Sequence, residues 1–276
     1  MDFRREWILS EVAPTIQDLE QVNGYHLDEA ICLINYLEGK LSAHSAAEQI
    51  TAAVLHEADP PGELYRIWAL LGNACQVLGN DFEKLLDLLG AIQRLDQTDE
   101  IDWTQLPGFR YCWNELFGNL PEMDWNIDEQ RDFEGNEDNL RSLFKTVGTV
   151  EAGLFVREIG GFTKFWGYNI LNLICSARFG LEVFITQIHA WLEIAGPKLA
   201  ATIQPHQVKS YTRAVKGRPD KTYEIQATMA EHWEHWKKTF LQVSHDEGFL
   251  SAEARQLAAE CYDMVKKQAI KMPWSE

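Results

Sequence analysis

No apolar run in this chain approaches the ~20 residues that a membrane-spanning helix needs, so a membrane span is not expected. Basic residues are scarce: 25 Lys and Arg stand against 42 Asp and Glu, a formal charge of −17. Such a balance argues against general affinity for nucleic acid or for an anionic membrane surface. Cysteines are few and scattered, at Cys32, Cys75, Cys112, Cys175 and Cys261. No CxxC pair occurs, which excludes a zinc ribbon or a thioredoxin-type motif. Each cysteine sits in an apolar segment, where a free thiol behaves as a small buried hydrophobe. The opening MDFRREWILS lacks the apolar stretch of a secretory signal. A cytoplasmic protein in a reducing compartment is therefore expected. No P-loop, Rossmann glycine pattern or HEXXH is present, so neither a cofactor nor a metal is expected.

What is present is an ordinary globular composition, 46% hydrophobic and 24% charged, with ten tryptophans as its excess. The acidity is uneven. Residues 1–138 carry 28 acids and 8 bases, net −20, and residues 139–276 are net +3. The densest acidic stretch, Asp96 to Asp138, holds 13 acids against Arg110 and Arg131. It reads as a solvated loop, a lid, or a docking surface for a basic partner. Asp124, Asp128, Asp132 and Glu134 do not follow the calcium-loop spacing. One stretch is positive: Lys198 to Lys221, whose centre VKSYTRAVKGRPDK contains Gly217 and Pro219 and reads as a loop. Arg213 and Arg218 in it are suited to clamp a carboxylate or phosphate.

Helical periodicity dominates. LDEAICLINYLEG sets Leu27, Ile31, Ile34 and Leu37 on one face and stops at Gly39. Ser45-Ala-Ala-Glu48 has the spacing of a capping box. Leu64, Trp68, Leu71, Cys75 and Leu78 follow Pro60-Pro61 at helical spacing, and a leucine-rich helix follows Asn80-Asp81. Further helices are expected over Asn139–Glu158, Thr163–Phe179, Leu181–Ala195 (ending before Pro197), Thr222–Val243, and from Ser251 to about Lys267. No sustained strand alternation is evident. The expected fold is all-α, a single compact domain of about nine or ten helices without a sheet, with 121–137 as an internal boundary if there is one.

Three places suggest chemistry. In Glu231-His232-Trp233-Glu234-His235-Trp236 two imidazoles lie one helical turn apart, beside a tryptophan stripe. They suit acid–base work or metal ligation, although zinc needs further ligands; equally, the helix packs its tryptophans inward. His189 lies on an apolar helix with Glu193 one turn on, either as a bonded core residue or as a general base. VREIGGFTKFWGYNILNLICSAR spreads polar groups through an apolar stretch, with Asn169, Asn172 and Ser176 on one helical face. Those amides either bond neighbouring helices or line a polar-spotted cavity.

The order of AHSAAEQITAAV, LYRIWALLGNACQ, DNLRSLFKTVGTVEAGLF, HAWLEIAG and EHWEHWKKTFLQVSHDEGFLSAEARQLAAECYDMV resembles the large fungal family called domain of unknown function 3632. The likeness covers most of the chain. It implies a fungal, cytosolic, helical protein and carries over no catalytic residues. Some members look like products of secondary-metabolite gene clusters, which implies a biosynthetic enzyme or helper. The expected function is a cofactor-independent isomerase or cyclase acting on a phenolic or polyketide small molecule in an aromatic-lined cavity. A chalcone-to-flavanone type of closure needs only a donor, a base and a wall that selects one conformer. The expected catalytic groups are His189, Lys164, Tyr168, Asn172 and His232; the expected substrate contacts are Trp166, Asn169, Arg157, Trp191 and Trp233. The alternative is a non-catalytic scaffold docking through the acidic half. A cavity above roughly 300 Å³ favours the enzyme over the scaffold.

Overall fold

The computed structural model describes residues 3–12, 26–57, 59–118, 137–177, 180–215, 218–248, 250–268 and 270. The chain divides into two compact units. The first comprises Met1–Leu120 and Arg157–Phe162, the second Pro121–Val156 and Thr163–Glu276.

The first unit is helical. It contains α1 (Phe3–Val12), α2 (Leu27–Leu37), α3 (Ala43–Ala52), α4 (Pro60–Val77), α5 (Phe82–Ile92) and α6 (Phe109–Trp113). The cap of α3 is Ser42, which accepts from the Ser45 amide at 3.1 Å, three residues ahead of the expected box. α4 starts where Pro60 tolerates the missing N–H and Asp59 caps the Gly62 amide. Leu64, Trp68, Leu71 and Cys75 of α4 are buried as their spacing predicts. Beneath it, Glu29 of α2 is almost fully buried and meets Arg66, whose Nη2 and Nε lie 2.9 and 3.1 Å from Oε1. Trp68 donates to the Pro107 carbonyl at 2.7 Å and meets Phe109 edge-on at 5.5 Å. Residues 157–162 return to this unit: Gln93 accepts from the Gly160 amide at 2.9 Å and donates to the Glu158 carbonyl at 3.0 Å. Gly160 is at φ +63 with the Phe109 ring against it, so a Cβ there would lie 2.6 Å from a ring carbon.

The second unit contains α7 (Glu137–Arg157, all but its last residue), α8 (Lys164–Ser176), α9 (Leu181–Thr202), β1 (Val208–Val215), β2 (Arg218–Thr228), α10 (Met229–Ser244) and α11 (Ala252–Lys267). Phe144, Val147, Leu154 and Phe155 of α7 are buried. A Cβ on Gly148 would sit 2.7 Å from the Gln187 carbonyl, so glycine lets α7 and α9 approach backbone to backbone. Between these helices the buried Glu151 carboxylate accepts from Gln187 and from the Trp191 indole, both at 3.0 Å.

Three expectations are corrected here. First, the fold is mainly helical, with eleven α-helices among the described residues, but it is not without a sheet. Val208–Val215 and Arg218–Thr228 form an antiparallel hairpin in which Tyr211 pairs with Ile225 and Arg213 with Tyr223. Among its described residues only Tyr211 is buried, and the hairpin's inward face mixes Lys209, Tyr211 and Arg213, so apolar–polar alternation never develops. Val208, Tyr211, Thr212, Val215, Thr222, Tyr223, Ile225 and Thr228 nonetheless give it the composition of a strand pair. Second, no helix spans Thr222–Val243: α10 starts at Met229. Thr228 accepts from the Glu231 amide at 3.3 Å, and the Glu231 carboxylate accepts from the Thr228 amide at 2.8 Å. That capping box ends the strand and starts the helix. Third, α9 does not stop before Pro197 but runs through it to Thr202. Ala195 and Leu199 on either side are fully buried, and this packing outweighs a local penalty of about 3 kcal/mol.

Candidate functional site

The hairpin, α8, α10 and the start of α9 border a cavity of about 440 Å³ within the second unit. Its position follows from the capping box. Starting α10 at Met229 turns His232, Trp233, Trp236 and Phe240 into the core. His235, Thr239, Gln242, Val243 and Asp246 then form an adjacent stripe that lines the cavity. β1 contributes Arg213 and Ala214, β2 contributes Tyr223, and Ile174, Leu181 and Leu250 complete an apolar wall.

The polar groups in this wall are unequal. Arg213 Nε is buried and has no hydrogen-bond partner. His235 is half-buried and its pKa is lowered, first by burial and then by the charge of Arg213. Its imidazole is therefore neutral at pH 7 and able to take a proton. Cys175 has its thiol pushed up to about 11 by burial, which makes it a lining group and not a nucleophile. Its Sγ lies 3.6 Å from Thr239 Oγ1, and Thr239 in turn donates to the His235 carbonyl at 2.9 Å. Tyr223 is directly across the ladder from Arg213 and is 47% exposed, an aromatic face at the mouth.

Behind the cavity lies a packed aromatic block centred on Trp236. Tyr211 meets its ring edge-on at 5.4 Å, His232 stacks on it at 6.1 Å, and Tyr168 lies at 6.1 Å. Asn172 joins the block to the hairpin. Its Oδ1 accepts from Trp236 Nε1 at 3.0 Å, and its Nδ2 donates to the Thr212 carbonyl at 2.8 Å.

The structure brings Tyr168, Asn172 and His232 together in this block, with Trp233 against Trp236 at 6.2 Å. None of them lines the cavity. Tyr168 Oη donates to the Leu199 carbonyl at 3.1 Å, and Lys164 Nζ donates to the Thr202 carbonyl at 3.1 Å. His232 is fully buried, and its Nε2 lies 3.1 Å from the Lys209 carbonyl. A carbonyl only accepts, so Nε2 carries the proton and Nδ1 is left without a partner. His189 lies elsewhere, paired with Glu260 of α11 at 2.8 Å, while Glu193 is 3.9 Å from its other nitrogen. Trp191 is buried against Phe155 at 5.8 Å. Trp166 is half-buried and Asn169 is exposed. Arg157 belongs to the first unit, where it pairs with Asp87 at 2.7 Å and with Glu83.

The cavity groups Tyr223, Thr239 and Gln242 escape a reading that runs one helix through residues 222–243. The signal that finds them is Thr228-Met-Ala-Glu231, which starts α10 and so sets which face His235 shares. Arg213, expected as an anion clamp, is in the cavity; the side chain of Arg218 lies outside the described residues, as do Asp124, Asp128, Asp132 and Glu134. Among the described residues no three His, Cys, Asp or Glu side chains group to hold a metal ion. No described helix is long and apolar enough to cross a membrane. Comparison with protein-family models, curated proteins and solved structures returns no match for this chain.

Proposed function

We propose that the protein is a cofactor-independent isomerase or intramolecular cyclase that binds an aromatic small molecule in the hairpin cavity. The observation that supports this most is the pairing of a cavity of about 440 Å³ with a neutral imidazole, His235, in its wall. That volume falls within the range of small-molecule sites. An internal addition to an enone needs no external reagent. His235 takes the proton of a phenol, the phenolate oxygen forms a C–O bond to the β-carbon, and the C=C electrons move towards the carbonyl. The imidazolium then returns the proton to the α-carbon, so atoms and charge balance. Tyr223 and Gln242 are donors within the same wall for the developing oxyanion. Fungal secondary metabolism rests on the family resemblance, a phenolic or polyketide substrate on that resemblance and the aromatic content, and a cytoplasmic location on the scattered cysteines and the resemblance.

The test titrates the whole protein with a panel of phenols, hydroxychalcones and short polyketide lactones, observed by NMR, with enone absorbance as the readout of turnover. The expected result is shifts at His235, Thr239 and Tyr223, and slow loss of the enone band that His235→Gln abolishes. Absence of binding across the panel, or turnover unchanged in His235→Gln, overturns the reading.

A further inference from the structure

Arg213 differs in setting from the other described arginines: Arg94 and Arg110, which also form no ion pair with a described residue, are exposed, whereas Arg213 faces the cavity. Arg66, Arg141, Arg157 and Arg255 each face a carboxylate. Arg213 lines the cavity, its Nε is buried, and its guanidinium forms no ion pair with a described residue. A buried Nε–H without an acceptor is costly, and that cost falls when an anion entering the cavity accepts from it. The fork geometry of guanidinium suits a planar two-oxygen partner, which it holds through two parallel hydrogen bonds.

We infer that the cavity selects ligands bearing a carboxylate, held by Arg213, with an aromatic or other apolar body against Ile174, Leu181 and Leu250. This rests on the reading of the cavity as a ligand site and names the class of ligand it takes. Charge bookkeeping chooses carboxylate over phosphate. Arg213 supplies one positive charge, His235 is neutral at pH 7, and Asp246 on the same wall carries a negative one. Arg213 and Asp246 together leave the wall neutral, so a monoanion adds one excess negative charge and a phosphate dianion adds two, which disfavours the dianion. Arg213 then anchors the substrate and leaves His235 and the neighbouring donors for the reacting end.

The test compares 2-naphthoate, its methyl ester and inorganic phosphate by calorimetry at pH 7.5 on the full chain, with wild type, Arg213→Gln and Arg213→Lys. A charge-assisted pair predicts that naphthoate binds at least about tenfold more tightly than the ester. Arg213→Gln removes that preference, and Arg213→Lys, with charge but no fork, keeps part of it. Thermal unfolding of each variant confirms that it is folded. Equal binding of acid and ester, or naphthoate affinity unaltered in Arg213→Gln, overturns the inference and leaves the ligand-site reading standing. Phosphate binding more tightly than naphthoate overturns the choice of a monoanion. No binding of either naphthyl compound overturns both the ligand-site reading and the inference. Naphthoate binding without turnover of any enone in the panel supports the inference and counts against the catalytic reading.

Discussion

Replacing Asn172 by alanine separates a chemical role for this residue from a structural one. Its amide satisfies two groups: the indole N–H of Trp236 and the carbonyl of Thr212. Trp236 is fully buried, so its N–H has no water to turn to and carries the whole desolvation penalty, about 1–3 kcal/mol. Thr212 is half-buried, so its carbonyl regains part of its hydration and adds about 1 kcal/mol. The expected loss is about 2–4 kcal/mol. With a urea slope of about 2 kcal/mol per molar, the unfolding midpoint moves down by about 1–2 M. Tryptophan fluorescence follows the transition, because Trp236 itself reports on the block. The loss also frees β1 from α8, so amide exchange around Thr212 accelerates. In a cycle with Trp236→Phe, which removes the same indole donor, the two losses are less than additive. A midpoint shift corresponding to less than about 0.5 kcal/mol would refute the accounting, because a buried donor cannot lose its acceptor at so small a cost.

Two further outcomes follow from buried charge. Arg66→Met leaves the Glu29 carboxylate, 1% exposed, without its cation, and lowers stability by about 3–5 kcal/mol; urea unfolding checks it, and a loss below about 1 kcal/mol contradicts the burial argument. Burial holds the His232 pKa below its ordinary value of 6.5. The unfolded chain therefore binds the proton more readily, so stability is complete above pH 6.5 and declines as pH falls from there towards the folded pKa, by at most about 1.4 kcal/mol per pH unit for one proton. His235 shifts in the same direction, so both contribute; His232→Gln reduces the drop in urea midpoint between pH 7.5 and 5.5, and an unchanged drop refutes the assignment.

Whatever depends on neighbours along the chain was legible in the sequence. The i, i+3, i+4 spacing of Leu64, Trp68, Leu71 and Cys75 places them in a helix face before any partner is known, and Ser251 caps α11 as a local side chain-to-amide bond. Proline at 197 misleads for the same reason, since its helix penalty is local and the packing of Ala195 and Leu199 that overrides it is not. The hairpin carried the right residues but no alternation, because among its described residues only Tyr211 is buried and the others are exposed or half-buried on both faces. What required the tertiary structure were the pairings between residues far apart in sequence. Glu29 meets Arg66 across 37 positions, and Asn172 meets Trp236 across 64. Arg213 and His235 share one cavity only because a strand pair folds back and a capping box sets the phase of the next helix. The sequence by itself determined a helical, tryptophan-rich protein with a less acidic second half. Only the fold decided which of its polar groups are core hydrogen bonds and which face a cavity, because long-range packing sets burial, and burial sets the chemistry a side chain can do.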